Sequence, residues 1–357
     1  MRIVVAMSGG VDSSAVAALL AEAGHEVIGL SMQLYDQREG DFGFGTCCTL
    51  DDLHDARRVA TRIGIPHYIV NFEREFQRTV VSNFVDEYVA GRTPIPCARC
   101  NSDLKFATLL DRARGLGAEA VATGHYARVE DEPETRRRVL RRGLDPSKDQ
   151  SYFLFSLTQP QLARALFPVG DWTKDAVRDF ARSRNLPVAE KPDSQEICFV
   201  PDGDYASFVE RQPSDVANSE RSGEIVTRSG QVLGRHEGVH HFTVGQRKGL
   251  GVASGERLYV LELKADDRAV VVGPRPELER TTLTASQVNW IAGDPPAGPL
   301  HVTAQIRHRH PAAAARLEAL DDGRASVEFA EPQLAITPGQ AVVFYDGDRV
   351  VGGGWID

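Results

Sequence analysis

Five cysteines are the residues of this sequence best suited to covalent chemistry. Cys100 lies in the distinctive segment Pro94-Ile95-Pro96-Cys97-Ala98-Arg99-Cys100-Asn101, and Cys198 lies in Asp193-Ser194-Gln195-Glu196-Ile197-Cys198-Phe199. A cysteine attacks as its thiolate, and the start of a helix lowers the pKa of a nearby thiol. Because a helix is predicted to begin near Asn101 or Ser102, the sequence favours Cys100 as a nucleophile over a buried structural residue.

The cysteines also raise the question of a metal site. A tetrahedral zinc site needs two ligands besides Cys97 and Cys100, and the sequence has no second Cys-x-x-Cys pair. An iron-sulfur cluster (4Fe-4S) held by Cys97, Cys100 and Cys198, with one iron open to sulfur, is chemically feasible and stays an alternative. Cys47 and Cys48 are adjacent and poorly placed to bind one metal ion together, so we assign them no role.

The segment Ser8-Gly9-Gly10-Val11-Asp12-Ser13-Ser14 is the strongest single motif. Its glycines let the backbone approach a phosphate, and the N-H groups at the start of the following helix can hold the anion. It matches neither the kinase-type loop nor the dinucleotide fingerprint. A tight turn capped by Asp12 or Ser13 is the structural alternative. The segment resembles the PP-loop of N-type ATP pyrophosphatases, which adenylate a substrate and release pyrophosphate.

The predicted elements place this loop after a first strand. In the first half of the chain, apolar runs alternate with segments of helical periodicity, which indicates a parallel sheet covered on both faces. The predicted strands are 3–7, 27–32, 67–71 and 120–123, and the predicted helices are 13–23, 53–63, 73–90 and 102–116. From about Ser222 the pattern changes to short strands separated by turns. The charged stretch 131–147 is expected to be an exposed loop or hairpin.

Composition and charge limit the function classes. The chain is 42% hydrophobic and 25% charged, with a net charge of -9, which argues against nonspecific coating of nucleic acid. No apolar run approaches the roughly 20 residues that cross a bilayer. The sequence begins directly with a predicted strand, which leaves no room for a signal peptide, so we expect a cytoplasmic protein. The basic stretches 136–142 and 307–310, each taken alone, are expected to be solvated faces.

Six further motifs follow the phosphate loop in order along the chain. They are Gly91-Arg92-Thr93-Pro94, Cys100-Asn101 with Leu104-Lys105-Phe106, Thr123-Gly124-His125-Tyr126, Lys148-Asp149-Gln150-Ser151-Tyr152, Asp193 to Phe199, and Thr243-Val244-Gly245-Gln246-Arg247-Lys248-Gly249-Leu250. Together they resemble the bacterial MnmA-type 2-thiouridylases of tRNA. The resemblance runs from Met1 to Thr337-Pro338-Gly339-Gln340.

The resemblance implies a fold and a division into domains. It implies an α/β fold: a Rossmann-like PP-loop domain of the adenine-nucleotide hydrolase type, with a parallel sheet, followed by two small mostly-β domains. We expect the domains to span 1–208, 209–278 and 279–357.

The resemblance also implies a reaction. The substrate would be the wobble uridine 34 of the tRNAs for Lys, Glu and Gln, whose C2 oxygen is adenylated by ATP with Mg²⁺ and replaced by sulfur. Cys198 resembles the persulfide carrier and Cys100 the nucleophile, and a cysteine desulfurase or a sulfur-relay protein would supply the sulfur. The positions implied for ATP are Ala6, Met7, Ser8, Gly9, Gly10, Val11, Asp12, Ser13, Met32 and Gly124. The positions implied for tRNA are His125, Lys148, Asp149, Gln150, Arg307, His308 and Gln340.

One position departs from the resemblance, and two other functions stay open. Some relatives have an acidic residue where this chain has Cys97, so no acid-base role is assigned there. A PP-loop ligase that acts on a small metabolite would need neither RNA-binding β domains nor paired thiols. A noncatalytic RNA-binding protein with a degenerate loop would form no AMP.

Overall fold

The structure, a computed structural model, describes residues 1–35, 50–193, 197–200, 203–212, 221–253 and 255–357; Cys47 and Cys48 lie outside these ranges. The strands are β1 (Arg2–Ala6), β2 (Glu26–Gln33), β3 (His67–Asn71), β4 (Ala120–Ala122), β5 (Ala127–Glu132), β6 (Arg137–Arg142), β7 (Ala165–Leu166), β8 (Gly223–Thr227), β9 (Val232–His236), β10 (Tyr259–Lys264), β11 (Ala269–Gly273), β12 (Glu279–Trp290), β13 (Leu300–Gln305), β14 (Ala313–Ala319), β15 (Ala325–Leu334), β16 (Ala341–Asp346) and β17 (Arg349–Ile356).

The helices alternate with the strands mainly in the first half of the chain. The α-helices are α1 (Val11–Glu22), α2 (Leu50–Ile63), α3 (Glu73–Phe76), α4 (Ser82–Val89), α5 (Pro96–Arg99), α6 (Leu109–Gly115), α7 (Gln159–Leu162), α8 (Lys174–Ser183) and α9 (Tyr205–Arg211). Segments of π-helix span Gln77–Val81 and Cys100–Thr108, and 3-10 helices span Ser151–Phe153, Val239–His241, Arg275–Leu278 and Asp321–Gly323. Across the described ranges, no helix has both the length and the apolar character needed to cross a membrane.

The first sheet is parallel, and its central strand β1 is buried on both faces. Its strand order is β3-β2-β1-β4-β7, and every neighbouring pair runs parallel. Along β1, Val4 packs in one hydrophobic cluster, whereas Ile3 and Val5 pack in another on the opposite face. Successive side chains of a strand point to opposite faces, so this apolar run requires cover on both sides. The α/β prediction is confirmed.

Two long helices of this domain contain π segments. Helix 73–89 joins α3 to α4 through Gln77–Val81, and helix 96–115 joins α5 to α6 through Cys100–Thr108. The predicted helix start near Asn101 or Ser102 is therefore wrong, because Pro96 begins the helix. Proline suits the first turn, where its missing N-H costs no hydrogen bond. Segments of π-helix are uncommon and often mark functional sites.

The remaining strands form two mostly-β units. The middle one has the order β10-β11-β8-β9. In the C-terminal sheet, β12 pairs with both β15 and β17, which closes β12-β15-β14-β13-β16-β17 into a barrel. Closure satisfies the edge strands that an open sheet would expose. Two small β domains after the first domain were predicted, and both are present.

The hairpin of β5 and β6 belongs to the barrel sheet rather than standing apart as an exposed loop. Arg141 of β6 lies opposite Arg349 of β17. Asp348 binds Arg128 and Arg141, each at 2.6 Å, and Arg142 binds Asp149 at 2.8 Å. This part of the basic stretch therefore ties the first domain to the barrel, and the prediction of a solvated face is wrong for it.

Candidate active site

The phosphate loop connects the end of β1 at Ala6 to the start of α1 at Val11. Gly9 has a φ of +75°, and a Cβ there would collide with the carbonyl oxygen of Asp52, so only glycine fits. The backbone N-H of Ser8 donates to Ser13 Oγ at 3.2 Å, and Ser13 Oγ donates to the Gly10 carbonyl at 3.2 Å. The loop is thus held in shape beside the N-terminal end of α1, where backbone N-H groups and the helix dipole favour an anion.

The other residues predicted to bind the nucleotide lie around this loop. Leu30 is opposite Ala6 in the β1–β2 register, so buried Met32 lies two residues further along β2, beside the loop. Gly124 follows β4 on the other side of β1, and a Cβ there would lie 2.7 Å from the backbone N of Ser13. The fold therefore brings three strand ends together at the loop, which is where parallel α/β sheets bind ligands.

A buried lysine that the sequence did not single out binds the loop's carboxylate. Lys174, at the start of α8, is 8% exposed. Its Nζ lies 2.8 Å from both carboxylate oxygens of Asp12 and 2.8 Å from Asp193 Oδ1. Tyr126 donates its hydroxyl to Asp12 Oδ1 at 2.7 Å. One cation therefore joins the phosphate loop to the segment that precedes Cys198.

Two further basic side chains contact Asp193. Lys148 Nζ lies 2.7 Å and Arg178 Nη2 lies 3.1 Å from its carboxylate oxygens. Burial raises the pKa of Asp193, but the hydrogen bonds from Lys148 and Lys174 outweigh burial and hold the pKa below its usual value. Asp193 is therefore a carboxylate fixed among cations. The next three residues, 194–196, lie outside the described ranges.

The two predicted reactive cysteines pack against the same hydrophobic cluster. Cys100 is buried within it at the start of the π segment, and Cys198 is partly buried against it. Phe199, next to Cys198, makes an edge contact with Phe84 at a centroid distance of 5.0 Å. Because the helix begins at Pro96, exposed Cys97 occupies its first turn and Cys100 lies beyond it. The helix-start argument for Cys100 is therefore wrong, since the dipole effect fades after one turn.

The predicted tRNA-binding residues of the first domain have partners within the protein. Gln150 Oε1 accepts the backbone N-H of Tyr126 at 3.0 Å, and Asp149 binds Arg142. The His125 ring lies 2.8 Å from Thr123 Oγ1. Burial, and secondarily the charge of Lys105, hold the pKa of His125 well below its usual value, so this imidazole is neutral near pH 7.

The predicted tRNA-binding residues of the barrel lie where it meets the first domain or along its edge. The His308 ring packs on Phe153 at a centroid distance of 4.4 Å. Gln340 Nε2 donates to the Thr93 carbonyl at 3.0 Å. Half-buried Arg307 donates to the Leu334 carbonyl at 3.2 Å. Two of the three therefore form part of the junction between domains.

Asn101, the neighbour of Cys100, connects the cysteine helix to the same junction. Its side-chain amide donates to the carbonyl oxygen of Phe153 at 3.1 Å, and the ring of Phe153 packs against His308.

Sequence reasoning missed Lys174, Tyr126 and Asp193 as site residues. Tyr126 and Asp193 stand inside quoted motifs, which was the available signal, whereas Lys174 stands in no motif.

Three family models match successive parts of the chain. Residues 1–202 match the family model described as a tRNA methyl transferase HUP domain. Residues 215–274 match a tRNA methyl transferase PRC-barrel domain, and residues 280–356 match an aminomethyltransferase beta-barrel domain. The fold and the loop define the first domain as an ATP-utilising domain of the PP-loop type.

Curated relatives extend the match to nearly full length. A protein from Solibacter usitatus is 57% identical, with 99% of this chain and 99% of that protein covered. One from Koribacter versatilis is 54% identical, with 99% of this chain and 98% of the relative covered. Both are named tRNA-specific 2-thiouridylase MnmA. This chain belongs to the tRNA-specific 2-thiouridylase family.

Solved structures are more distant. A 4-thiouridine synthetase–RNA complex with bound ATP is 14% identical at a TM-score of 0.36, covering 59% of this chain and 50% of that chain. An NMN synthetase from Francisella tularensis is 15% identical at a TM-score of 0.34, covering 60% of this chain and 79% of the other. These similarities are too weak to bear on function.

Proposed function

We propose that this protein is a tRNA 2-thiouridylase, a sulfurtransferase that uses ATP to replace the C2 oxygen of uridine 34 with sulfur in the tRNAs for Lys, Glu and Gln. The observation that carries the proposal is the position of Lys174, whose Nζ lies 2.8 Å from the carboxylates of both Asp12 and Asp193. Asp12 belongs to the phosphate loop, and Asp193 precedes the sulfur-carrying cysteine. One lysine therefore connects the proposed nucleotide loop to the segment that leads to the proposed sulfur carrier.

Adenylation makes the base oxygen a leaving group. The C2 oxygen attacks the α-phosphorus of ATP, and pyrophosphate leaves from the loop at residues 8–14. The target base must leave its stack to reach the loop, so base flipping accompanies this step. Mg²⁺ prefers oxygen ligands and neutralises phosphate charge. Since Asp12 already binds Lys174 and Tyr126, such an ion would be held chiefly by the ATP phosphates.

Sulfur transfer needs both cysteines. The outer sulfur of a Cys198 persulfide attacks C2 of the adenylated base and AMP leaves. The Cys100 thiolate then attacks Cys198 Sγ, which breaks the sulfur–sulfur bond, frees 2-thiouridine and leaves a Cys100–Cys198 disulfide. The two cysteines lose two electrons, which the transferred sulfur gains. A thiol reductant must therefore reopen the disulfide after each turnover.

An iron-sulfur cluster is the alternative sulfur carrier. Cys97 is exposed and Cys100 is buried, although both are needed as ligands. We therefore propose the persulfide route, with a cysteine desulfurase or a sulfur-relay protein as donor in the cytoplasm. A cluster would be recognised by its visible absorption.

We propose that the tRNA crosses the junction between the first and third domains, with boundaries at 1–208, 209–278 and 279–357. His308 and Gln340 of the barrel lie at this junction, against Phe153 and Thr93. Lys148, Asp149, Gln150, His125 and Arg307 complete the proposed contact set. Their bonds within the protein would hold the surface in shape before RNA binds.

The test is a single-turnover reaction with ATP, a persulfide source and an unmodified tRNA transcript. The proposal predicts AMP, pyrophosphate and 2-thiouridine, and none of these with a transcript carrying cytidine at position 34. Gly9→Ala should abolish AMP formation, because its Cβ would collide with the Asp52 carbonyl. Gly24→Ala is the matched control, since its φ is also positive and nothing lies within 4 Å of the added Cβ.

Other functions predict different products. A methyl transfer, which the name of the matching family model suggests, would consume a methyl donor and leave ATP intact. A ligase of small metabolites would form AMP without RNA. A noncatalytic RNA-binding protein would form no AMP. ADP with inorganic phosphate as the products would contradict the pyrophosphatase loop.

A further inference from the structure

A cluster of potential metal ligands lies outside the nucleotide and cysteine site. Glu210 is near the end of α9, and His240 and His241 end the 3-10 helix Val239–His241 of the middle domain. The ligand atoms of these three side chains all lie within 4.8 Å of one another, and no other such group was found in the described ranges. The cluster bridges two elements that are separate in sequence.

The distances suit a tetrahedral metal ion. Glu210 Oε1 lies 3.2 Å from His240 Nε2 and 3.1 Å from His241 Nε2. Two ligands at 2.0–2.1 Å from Zn²⁺ are about 3.3 Å apart at the tetrahedral angle. A hydrogen bond has a similar length, so distance alone does not separate the two arrangements.

The direction of the contacts distinguishes a metal site from a pair of hydrogen bonds. His240 Nε2 is in hydrogen-bond geometry with Glu210, but His241 Nε2 is a buried nitrogen that makes no hydrogen bond in the described part of the chain. A buried polar atom without a hydrogen bond is costly. One ion coordinated by all three side chains would satisfy both ring nitrogens and the carboxylate together.

The burial of His240 and the short distance between the two rings also suit a metal. His240 is 2% exposed. Imidazole binds metal in its neutral form. The rings of His240 and His241 lie 4.3 Å apart between centroids, where two positive charges would repel.

We propose that Glu210, His240 and His241 bind one Zn²⁺ ion at the boundary between the first and middle domains. Two imidazoles and one carboxylate match the ligand preference of Zn²⁺ and leave a position for water. The site would fix α9 against the middle domain. Phe208 of α9 packs on Phe199 at a centroid distance of 5.2 Å, so the ion would also support the residue beside Cys198.

The test is a Zn²⁺ titration of the tag-free full chain against a chromophoric chelator. Wild type should take up one equivalent, and His241→Ala should lower the affinity by at least about 10-fold, because a lost ligand costs at least as much as a lost outer-shell partner. Exposed His301→Ala is the control and should keep wild-type affinity. Zn²⁺ should also slow hydrogen exchange of the α9 amides in wild type and not in His241→Ala.

Two further variants complete the test. Glu210 is exposed, so Glu210→Gln should fold even if the histidine variant does not, and it should also lose affinity. Cys97→Ser should leave the affinity unchanged. Uptake that is lost only in Cys97→Ser, or that survives both His241→Ala and Glu210→Gln, would overturn the proposal.

Discussion

The phosphate loop and the junction between the first domain and the barrel are built in opposite ways. In the loop, Ser8, Gly10 and Ser13 hold one another across at most five positions of sequence. At the junction, Gln340 binds Thr93 across 247 positions and Tyr152 binds Ala341 across 189. The hydrogen bonds that shape the loop are thus contained in one local motif. A motif at the junction contains only one of the two partners of each contact.

The largest expected effect tests whether the loop is self-contained, because Asp12 also binds Lys174, 162 positions away in sequence. Lys174→Met removes the buried partner of two carboxylates, and we expect a loss of about 3 kcal/mol in the free energy of unfolding. Denaturant unfolding measures it. Exposed Lys264→Met is the control and should change stability by less than about 0.5 kcal/mol. Equal stability of both variants would mean that the loop is self-contained.

A smaller effect is expected at the junction. Gly339 has a φ of +84°, and its added Cβ would lie 2.9 Å from the Thr93 backbone N, so Gly339→Ala should cost about 2–3 kcal/mol. Gly347 has a φ of +60° with nothing within 4 Å, so Gly347→Ala should cost about 1 kcal/mol, for backbone strain alone. Thermal unfolding compares the two. If the two costs match, the junction is loosely packed.

The pH dependence sharpens the role of Asp193. Its folded pKa lies below the ordinary value of 3.8, so its carboxylate stabilises the fold above that pH and the contribution is lost as pH falls through the folded pKa. The free energy of unfolding should therefore fall more steeply below pH 3.8 for wild type than for Asp193→Asn. Asp175 is exposed and lies one residue beyond Lys174, so Asp175→Asn should show the same pH dependence of stability as wild type. Parallel curves for wild type and Asp193→Asn would remove Asp193 from the network.

The smallest effect concerns the RNA charge contacts. Arg307→Gln and Lys148→Gln should each lower the slope of log binding constant against log salt by about one, although the chain carries a net charge of -9. Exposed Arg316→Gln is the control. Lys148 also binds Asp193, so its variant should lose stability as well. Unchanged slopes for both variants would leave these residues with structural roles alone.

The first sheet was predictable because the apolar run of β1 and the glycines after it are local signals. The helix start at Pro96 was not, since the helical periodicity of apolar residues was followed only from Ser102 onward. The role of Lys174 was not predictable either, because a lysine in the charged helix 174–183 has the pattern of a solvated residue, and its contact with Asp12 arises only from packing. The β5–β6 hairpin joins the barrel through Arg141 and Arg349, a pairing without a sequence signal.

The most direct test is the mapping of sulfur on the two cysteine segments. Protein is loaded by a desulfurase with sulfur-labelled cysteine, and its peptides are analysed by mass. We expect label on Cys198 in wild type and in Cys100→Ser, with thiolation stalled in the latter. Cys198→Ser should still form AMP but carry no label. Label on Cys100 alone, or full thiolation by Cys198→Ser, would contradict the account, and loss of a visible chromophore in Cys97→Ser would replace it with a cluster.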